Sequence, residues 1–448
     1  MNDERRRSLW KIEKESNVDH LKEFFDEKFQ DLKKLPINST AIFRVTVGLS
    51  ESNPDAYKPM LVSIGPYHNK NSKLHSMEKY KLMYLQRFLR RKEEIDVLSC
   101  IKELEQLKDE ALRYYEDIEN LDSDILVNFS KMMLLDGCFV VEYIRESCEK
   151  FPKGEDMIIK RGCIRNQVRR DLLLMENQLP FFILTKLHDM SKKVEISFIK
   201  EVKSFFQDVL LKTTPASLLE TEDNQKKEIK HLLHVVHMAY QPSTRKRNMS
   251  KDDEDISWIM VMPNVTELLE AGVRFKTIKN LGDSKNLFDI NFDKKGVMSI
   301  PKFQVVDDTE TLLRNIIAYE QQSLDVQLRY FTDFAIIMDH LIESDKDVSL
   351  LRSKGIIENW IGEDKEVASL FNKIGNGVSI SSDFYYKEEC IKAVKYRKKP
   401  WNKMKASLRH NYFKSPWVGA STVAAIVLLL LTVIQTILAV IDGVTKKN

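Results

Sequence analysis

Between Trp417 and Ile441 the chain carries no ionisable side chain, and this stretch constrains everything else. Residues 423–441, "VAAIVLLLLTVIQTILAVI", are uncharged throughout, so a helix made from them needs an apolar surrounding on every side, protein or lipid. Twenty-five residues make a helix of about 37 Å, against a hydrocarbon core of about 30 Å. The length predicts one transmembrane helix over 417–441 and a short tail over 442–448. A buried core helix is the alternative, but such helices seldom pass about 18 residues without a charge.

The flanks predict the orientation, because Lys and Arg gather on the cytoplasmic side of a span. Lys392, Lys395, Arg397, Lys398, Lys399, Lys403, Lys405, Arg409 and Lys414 precede the segment with no acid among them, whereas Lys446 and Lys447 follow it beside Asp442. The expectation is a single-pass protein with its bulk in the cytosol, tail-anchored and inserted after synthesis, in the plasma membrane in the first instance and the endoplasmic reticulum in the second. After Pro400, the residues Trp401, Met404, Leu408 and Tyr412 recur at helical intervals opposite Lys403, Lys405 and Arg409. This predicts a basic interfacial helix over 401–415, with Trp401, Lys403, Lys405, Arg409, Lys414 and Trp417 at the membrane interface. An amphipathic helix packed on the globular domain fits the same pattern.

The rest of the chain has globular composition, with 31% charged and 43% hydrophobic residues, and a net charge of +3 is too small for a nucleic-acid binder. Five cysteines without a CxxC pair suit a reducing compartment. The opening "MNDERRRSLWKIEKES" never develops the apolar core of a secretory signal. Residues 1–40 predict an amphipathic amino-terminal helix with Leu21, Phe24, Phe25, Phe29 and Leu32 on one face, a surface suited to homo-oligomers. Over 41–400 the reading is a large helical domain. "AIFRVTVGL" (41–49) and "MLVSIGPY" (60–67) are short extended segments; 99–122 suggests a brief coiled-coil-like hairpin; "ILVNFSKMMLLDGCFVVEYI" (125–144) and "VRRDLLLMENQLPFFILTKL" (168–187) are central buried helices. Residues 242–257 read as a mobile loop with opposed charge blocks. "VRFKTIK", "LFDINFD", "GVMSI" and "FQVVDD", within 263–308, alternate as strands and predict a small antiparallel sheet. Helices then return, among them "DTETLLRNIIAYEQQ", "DFAIIMDHLIES" and "DVSLLRSKGII". The predicted fold class is mainly α (α+β): a large helical domain with a small antiparallel β insertion, then one transmembrane helix.

Three kinds of pattern bear on chemistry. In "HLLHVVH", His231 and His234 have the i, i+3 spacing that lets two imidazoles share a zinc ion, but His237 is swung about 120° from His231 and no closely spaced fourth ligand follows. Glu142, Glu176 and Glu320 sit among apolar residues, as general acids sometimes do, yet Arg169, Arg170 and Arg314 are available to pair with them. Nucleotide loops of the GxxxxGK[ST] or GxGxxG type and the GxSxG elbow are absent. No cofactor or metal is expected. The short basic clusters at 5–7 and 244–248 read as solvated loops rather than nucleic-acid contacts.

The blocks "NPDAYKPMLVSIGPYH", "MEKYKLMYLQRFL", "MMLLDGCFVVEYI", "DLLLMENQLPFFIL", "TELLEAGVRFK", "LLRNIIAYEQ", "DVSLLRSKGII" and "YFKSPWVGASTVAAIVLLLLTVIQT" resemble, in sequence and order, the plant DUF247 (UPF0481) family over about residues 41–441. One departure is Thr46, where the family usually has proline after "IFRV". The resemblance implies a plant protein with one carboxy-terminal membrane helix and no established enzymatic activity; some members are associated with pollen-side self-incompatibility in grasses. The combined expectation is a non-enzymatic membrane protein that binds a protein partner in signalling or recognition. The alternative is a membrane-tethered hydrolase built on the three glutamates, which would need them exposed together in one pocket without basic partners.

Overall fold

The computed structural model describes residues 20–29, 40–148, 162–192, 196–207, 229–241, 262–278, 287–381, 383–402, 404, 407 and 416–445. Helices α1 (Glu78–Leu89), α2 (Val97–Leu112), α3 (Phe129–Cys148), α4 (Gly162–Asp171), α5 (Phe181–Ser191) and α6 (Phe198–Phe205) make the first half of the domain. At its centre is α3, which packs against α1, α2, α5 and α6. Its sequence explains this position: Phe129, Met133, Phe139, Tyr143 and Ile144 are all fully buried, so the helix is apolar on more than one side. Gly137 lets α5 approach closely, since a Cβ there would lie 2.4 Å from a Leu187 methyl. The start of α2 is set by a capping box, in which the Asp96 carboxylate accepts from Ser99 N–H at 2.7 Å and the Ser99 hydroxyl accepts from Asp96 N–H.

The second half begins with α7 (Leu232–Ala239) and α8 (Val265–Glu270) and continues through strands β1 (Arg274–Ile278), β2 (Asn291–Phe292), β3 (Val297–Pro301) and β4 (Phe303–Val305). Helices α9 (Thr309–Gln322), α10 (Tyr330–Leu341) and α11 (Asp345–Ser353) follow, then β5 (Ile357–Asn359), α12 (Asp364–Ile374), α13 (Lys387–Lys398) and α14 (Pro416–Thr445). The mainly helical class with a small β component is as expected, but the sheet is not antiparallel throughout. β3 is central and pairs antiparallel with β2 and parallel with β1, Arg274 opposite Val297 and Phe275 opposite Met298. The turn at Asp293–Gly296 forces the first relation, because the Asp293 carboxylate accepts from both Lys295 and Val297 N–H and Gly296 takes φ +75°. The second arises because the chain between β1 and β3 is long enough to cross over rather than turn back. β4 pairs parallel with β5, although the segment containing β5 reads in the sequence as the end of a helix.

Two further expectations are corrected. The hairpin over 99–122 does not form: α2 ends at Leu112 and packs on α3 and α5, while Asp117 turns the chain with φ +56°. The segment 168–187 is not one helix, because α4 stops at Asp171 and α5 starts after Pro180. Residues 41–46 are extended with one bridge, Ile42 to Tyr115, and a helical turn, Val47–Ser50, follows directly after Thr46. Of the amino-terminal region, residues 20–29 are helical; residues 1–19 and 30–39 of that predicted helix lie outside the described residues, as does the predicted loop at 242–257.

Candidate functional site

The break between α4 and α5 is a hub of buried polar side chains. Residues 60–65 form neither helix nor strand, and the N–H groups of Met60, Leu61, Val62, Ile64 and Gly65 end on side chains rather than on a neighbouring strand. The Asp171 carboxylate accepts from Met60 at 3.0 Å, Leu61 at 2.7 Å and Val62 at 3.0 Å; Asn177 Oδ1 accepts from Ile64 at 2.7 Å; and Asp136 Oδ2 accepts from Gly65 at 2.9 Å. Arg170 donates to Asp171 and to the carbonyls of Asp55 and Lys58. Gln178 donates to the carbonyls of Leu172 and Leu174, and its own oxygen accepts from Leu232 N–H. Asn315, on α9, accepts from Met175 N–H and donates to the Ala56 carbonyl. Gly65 is required where the two segments meet, because it has φ +76° and a Cβ would stand 2.5 Å from the Gln178 carbonyl oxygen. With Asp171, Asn177, Gln178 and Asn315 all at most 1% exposed, the arrangement satisfies buried backbone and leaves no reactive group open. Its role is to hold the domain together.

The three glutamates are not brought into one site. Glu142, fully buried on α3, is held by Arg91 and by Arg145 at 2.7 Å. Glu176 lies in the hub loop, where it accepts from Val45 N–H at 2.9 Å and stands 3.3 Å from His68. Glu320, on α9 and fully buried, accepts from Phe331 and Thr332 N–H at 3.1 and 2.8 Å, which caps the start of α10, and meets His237 Nε2 at 2.9 Å. Each carboxylate therefore has its own partners, and the exposed common pocket needed by a hydrolase is not formed by these residues.

The histidines are likewise engaged. His231 Nδ1 accepts from His234 N–H, and His234 Nδ1 accepts from Lys230 N–H, both at 3.2 Å, while His237 faces Glu320. The three rings surround Tyr319, with centroids 5.0, 5.4 and 5.4 Å from its own. Burial, reinforced by the neighbouring His234, lowers the pKa of His231 well below the usual imidazole range, so it is neutral. Among the described residues no cluster of three or more His, Cys, Asp or Glu is arranged to hold a metal ion.

One acidic group passed unnoticed in the sequence. Asp333, on α10 and 3% exposed, accepts from Tyr385 N–H at 2.7 Å, while its other oxygen has no hydrogen-bond partner among the described residues. Burial pushes its pKa up to about 7, and the nearby Glu320 adds to the effect. The sequence signal was an Asp inside the apolar run "YFTDFAIIM".

The carboxy-terminal segment is helical from Pro416 to Thr445, and its stretch Ala420–Ala439 is long and apolar enough to cross a bilayer, with mean hydropathy 2.5 and none of it buried. Trp417 falls within this helix. Trp401 is 76% exposed and Met404 is also exposed. Lys403, Lys405, Arg409 and Lys414 lie outside the described residues, so of the helix predicted over 401–415 only residues 401, 402, 404 and 407 are described, and these are helical. At the other end of the chain, Leu21, Phe24, Phe25 and Phe29 of the helix at 20–29 are each more than half exposed, with Phe25 stacked on Phe29.

A family model described as a plant protein of unknown function, DUF247, matches residues 42–431. The UPF0481 protein At3g47200 of Arabidopsis thaliana is 29% identical over 431 residues, covering 92% of this chain and 88% of its own. The putative UPF0481 protein At3g02645 of the same plant is 23% identical and covers 90% of each chain. No solved structure matches the chain.

Proposed function

The chain belongs to the DUF247 family of plant proteins, and from that premise we propose that it is a single-pass membrane protein whose helical domain faces the cytosol and binds a protein partner in signalling or recognition, without catalysis of its own. The observation that carries this reading is the carboxy-terminal helix, apolar over the 20 residues Ala420–Ala439, none of them buried. The nine basic residues between Lys392 and Lys414, with no acid among them, support the cytosolic orientation and a plasma-membrane location, where an anionic inner leaflet attracts them. Separate engagement of Glu142, Glu176 and Glu320 weighs against the hydrolase alternative. The exposed phenylalanines of the helix at 20–29 supply an apolar face of the kind that protein partners cover.

In plant microsomes, the full-length chain should stay in the pellet through an alkaline carbonate wash, and a variant ending at residue 415 should leave it. Protease added outside the same sealed vesicles should digest the helical domain; protection of that domain would reverse the orientation. Phe24→Glu with Phe25→Glu should leave the pellet fraction unchanged while removing neighbours from a proximity-labelling set. Aromatic anchors contribute about 1–2 kcal/mol each, so the double change should weaken a true contact by at least about tenfold. An unaltered neighbour set would exclude this face from partner binding.

A further inference from the structure

From Ile426 to Ile441 every residue is Val, Leu or Ile except four: Thr432, Gln435, Thr436 and Ala439. Their spacing is i, i+3, i+4, i+7, which puts all four on one face of a helix, and the segment is helical throughout. Toward the amino end the same face continues through Ser421, Ala425 and Leu428, so that 421, 425, 428, 432, 435 and 439 alternate by four and three. A mean repeat of 3.5 is the seam of two helices crossing with a left-handed supercoil.

The polar groups on this face are not equivalent. The Thr432 hydroxyl donates to the Leu428 carbonyl and the Thr436 hydroxyl to the Thr432 carbonyl, both at 2.8 Å, so each is satisfied within its own helix. The Gln435 carboxamide has no hydrogen bond among the described residues and is exposed. It lies between five and six residues from the midpoint of Ala420–Ala439, about 8 Å along the axis, inside a hydrocarbon half-thickness of about 15 Å. An amide at that depth has no water to bond, so it needs another amide, hydroxyl or carbonyl to approach it. A carboxamide both donates and accepts, which makes it complementary to itself. Two copies of one chain enter the membrane in the same direction, so their Gln435 residues reach the same depth without adjustment.

We propose that two copies of this chain pair in parallel through α14, along the face of Thr432, Gln435, Thr436 and Ala439, with the two Gln435 carboxamides hydrogen-bonded to each other. This rests on the membrane-spanning reading above. The small side chains of Ala425 and Ala439 permit close approach, and the bulky Ile434, Ile437 and Ile441 remain toward lipid.

The test uses the full-length chain in membranes, carrying either of two tags, with Cys148→Ser and Cys163→Ser to remove the exposed thiols. After mild oxidation, Ala439→Cys should give a covalent dimer containing both tags, and Ile434→Cys, on the opposite face, should give little. Interhelical hydrogen bonds of this kind change association by about three- to thirtyfold, so adding Gln435→Leu should lower the Ala439→Cys dimer by that factor, whereas Gln435→Asn should retain it. Equal cross-linking from both faces, no loss with Gln435→Leu, or a cross-linked product holding one tag and a different protein would each overturn the proposal. A carbonate wash of the same samples separates the two readings. Loss of the chain from the pellet defeats the span and the pairing with it, while a retained chain with face-independent cross-linking defeats the pairing alone.

Discussion

Replacing Asp171 with alanine is expected to lower the stability of the helical domain by about 5 kcal/mol. One carboxylate accepts three successive N–H groups, those of Met60, Leu61 and Val62, and no water reaches it, since Asp171 has no exposed surface. Each buried donor left without an acceptor costs about 1–3 kcal/mol, and Arg170 loses the carboxylate that balances its charge. A domain of this kind is stable by about 5–15 kcal/mol in total, so the variant should melt far earlier or fail to accumulate. Asp171→Asn keeps one acceptor oxygen and should lose roughly half as much by the same reckoning. Thermal and urea unfolding of the full-length chain in detergent, followed by circular dichroism, measures both. A loss below about 1 kcal/mol for the alanine variant would mean that residues 60–62 find other partners.

Asp333→Asn should do the opposite, and only at the higher pH values. The folded protein raises the Asp333 pKa from 3.8 to about 7, so the folded state holds this proton more tightly than the unfolded chain does. Its contribution to stability is full below pH 4 and is lost as the pH rises through 7. Asparagine keeps the acceptor for Tyr385 N–H and carries no charge at any pH. The stability difference between variant and parent should therefore move in favour of the variant by about 3 kcal/mol between pH 5 and pH 7, at 1.36 kcal/mol per pH unit, and level off above that. The other groups around Asp333 are Glu320, Arg329, Asp383 and the Tyr386 and Cys390 side chains; all are present in both proteins, so the difference isolates one carboxyl. Parallel stability curves across that range would show that Asp333 is already ionised at pH 5.

Much of this architecture is legible in the sequence because its cause is local. The apolar carboxy-terminal helix declares itself by length and composition, and α3 by apolar residues on several faces. The corrected parts have non-local causes. "DLLLMENQLPFF" has the composition of a continuous buried helix, and nothing within it reveals that Asp171, Asn177 and Gln178 have their partners at residues 60–64 and 232. The same holds for β5, whose strand character depends on β4 some fifty residues earlier, and for the parallel sense of β1 and β3. Apolar periodicity finds buried faces but not the bonds of the polar residues between them. For this reason Glu142, Glu176 and Glu320 were recognisable as buried acids, while their separate roles as helix-pairing, loop-fixing and capping groups were not.

The segment at 60–65 also bears on the order in which the protein is made. The N–H groups of Met60, Leu61 and Val62 wait for an acceptor more than a hundred positions later, since Asp171 is separated from them by 109 to 111 residues. At about 5–20 residues per second, a ribosome takes roughly 5–20 s to supply that carboxylate. Further upstream, Arg44 and Thr46 are tied to Gln322, 276 to 278 residues away. The portion of the domain that leaves the exit tunnel first is therefore among the last to settle, and the nascent polypeptide carries its leading edge unanchored until most of the helices behind it have been translated.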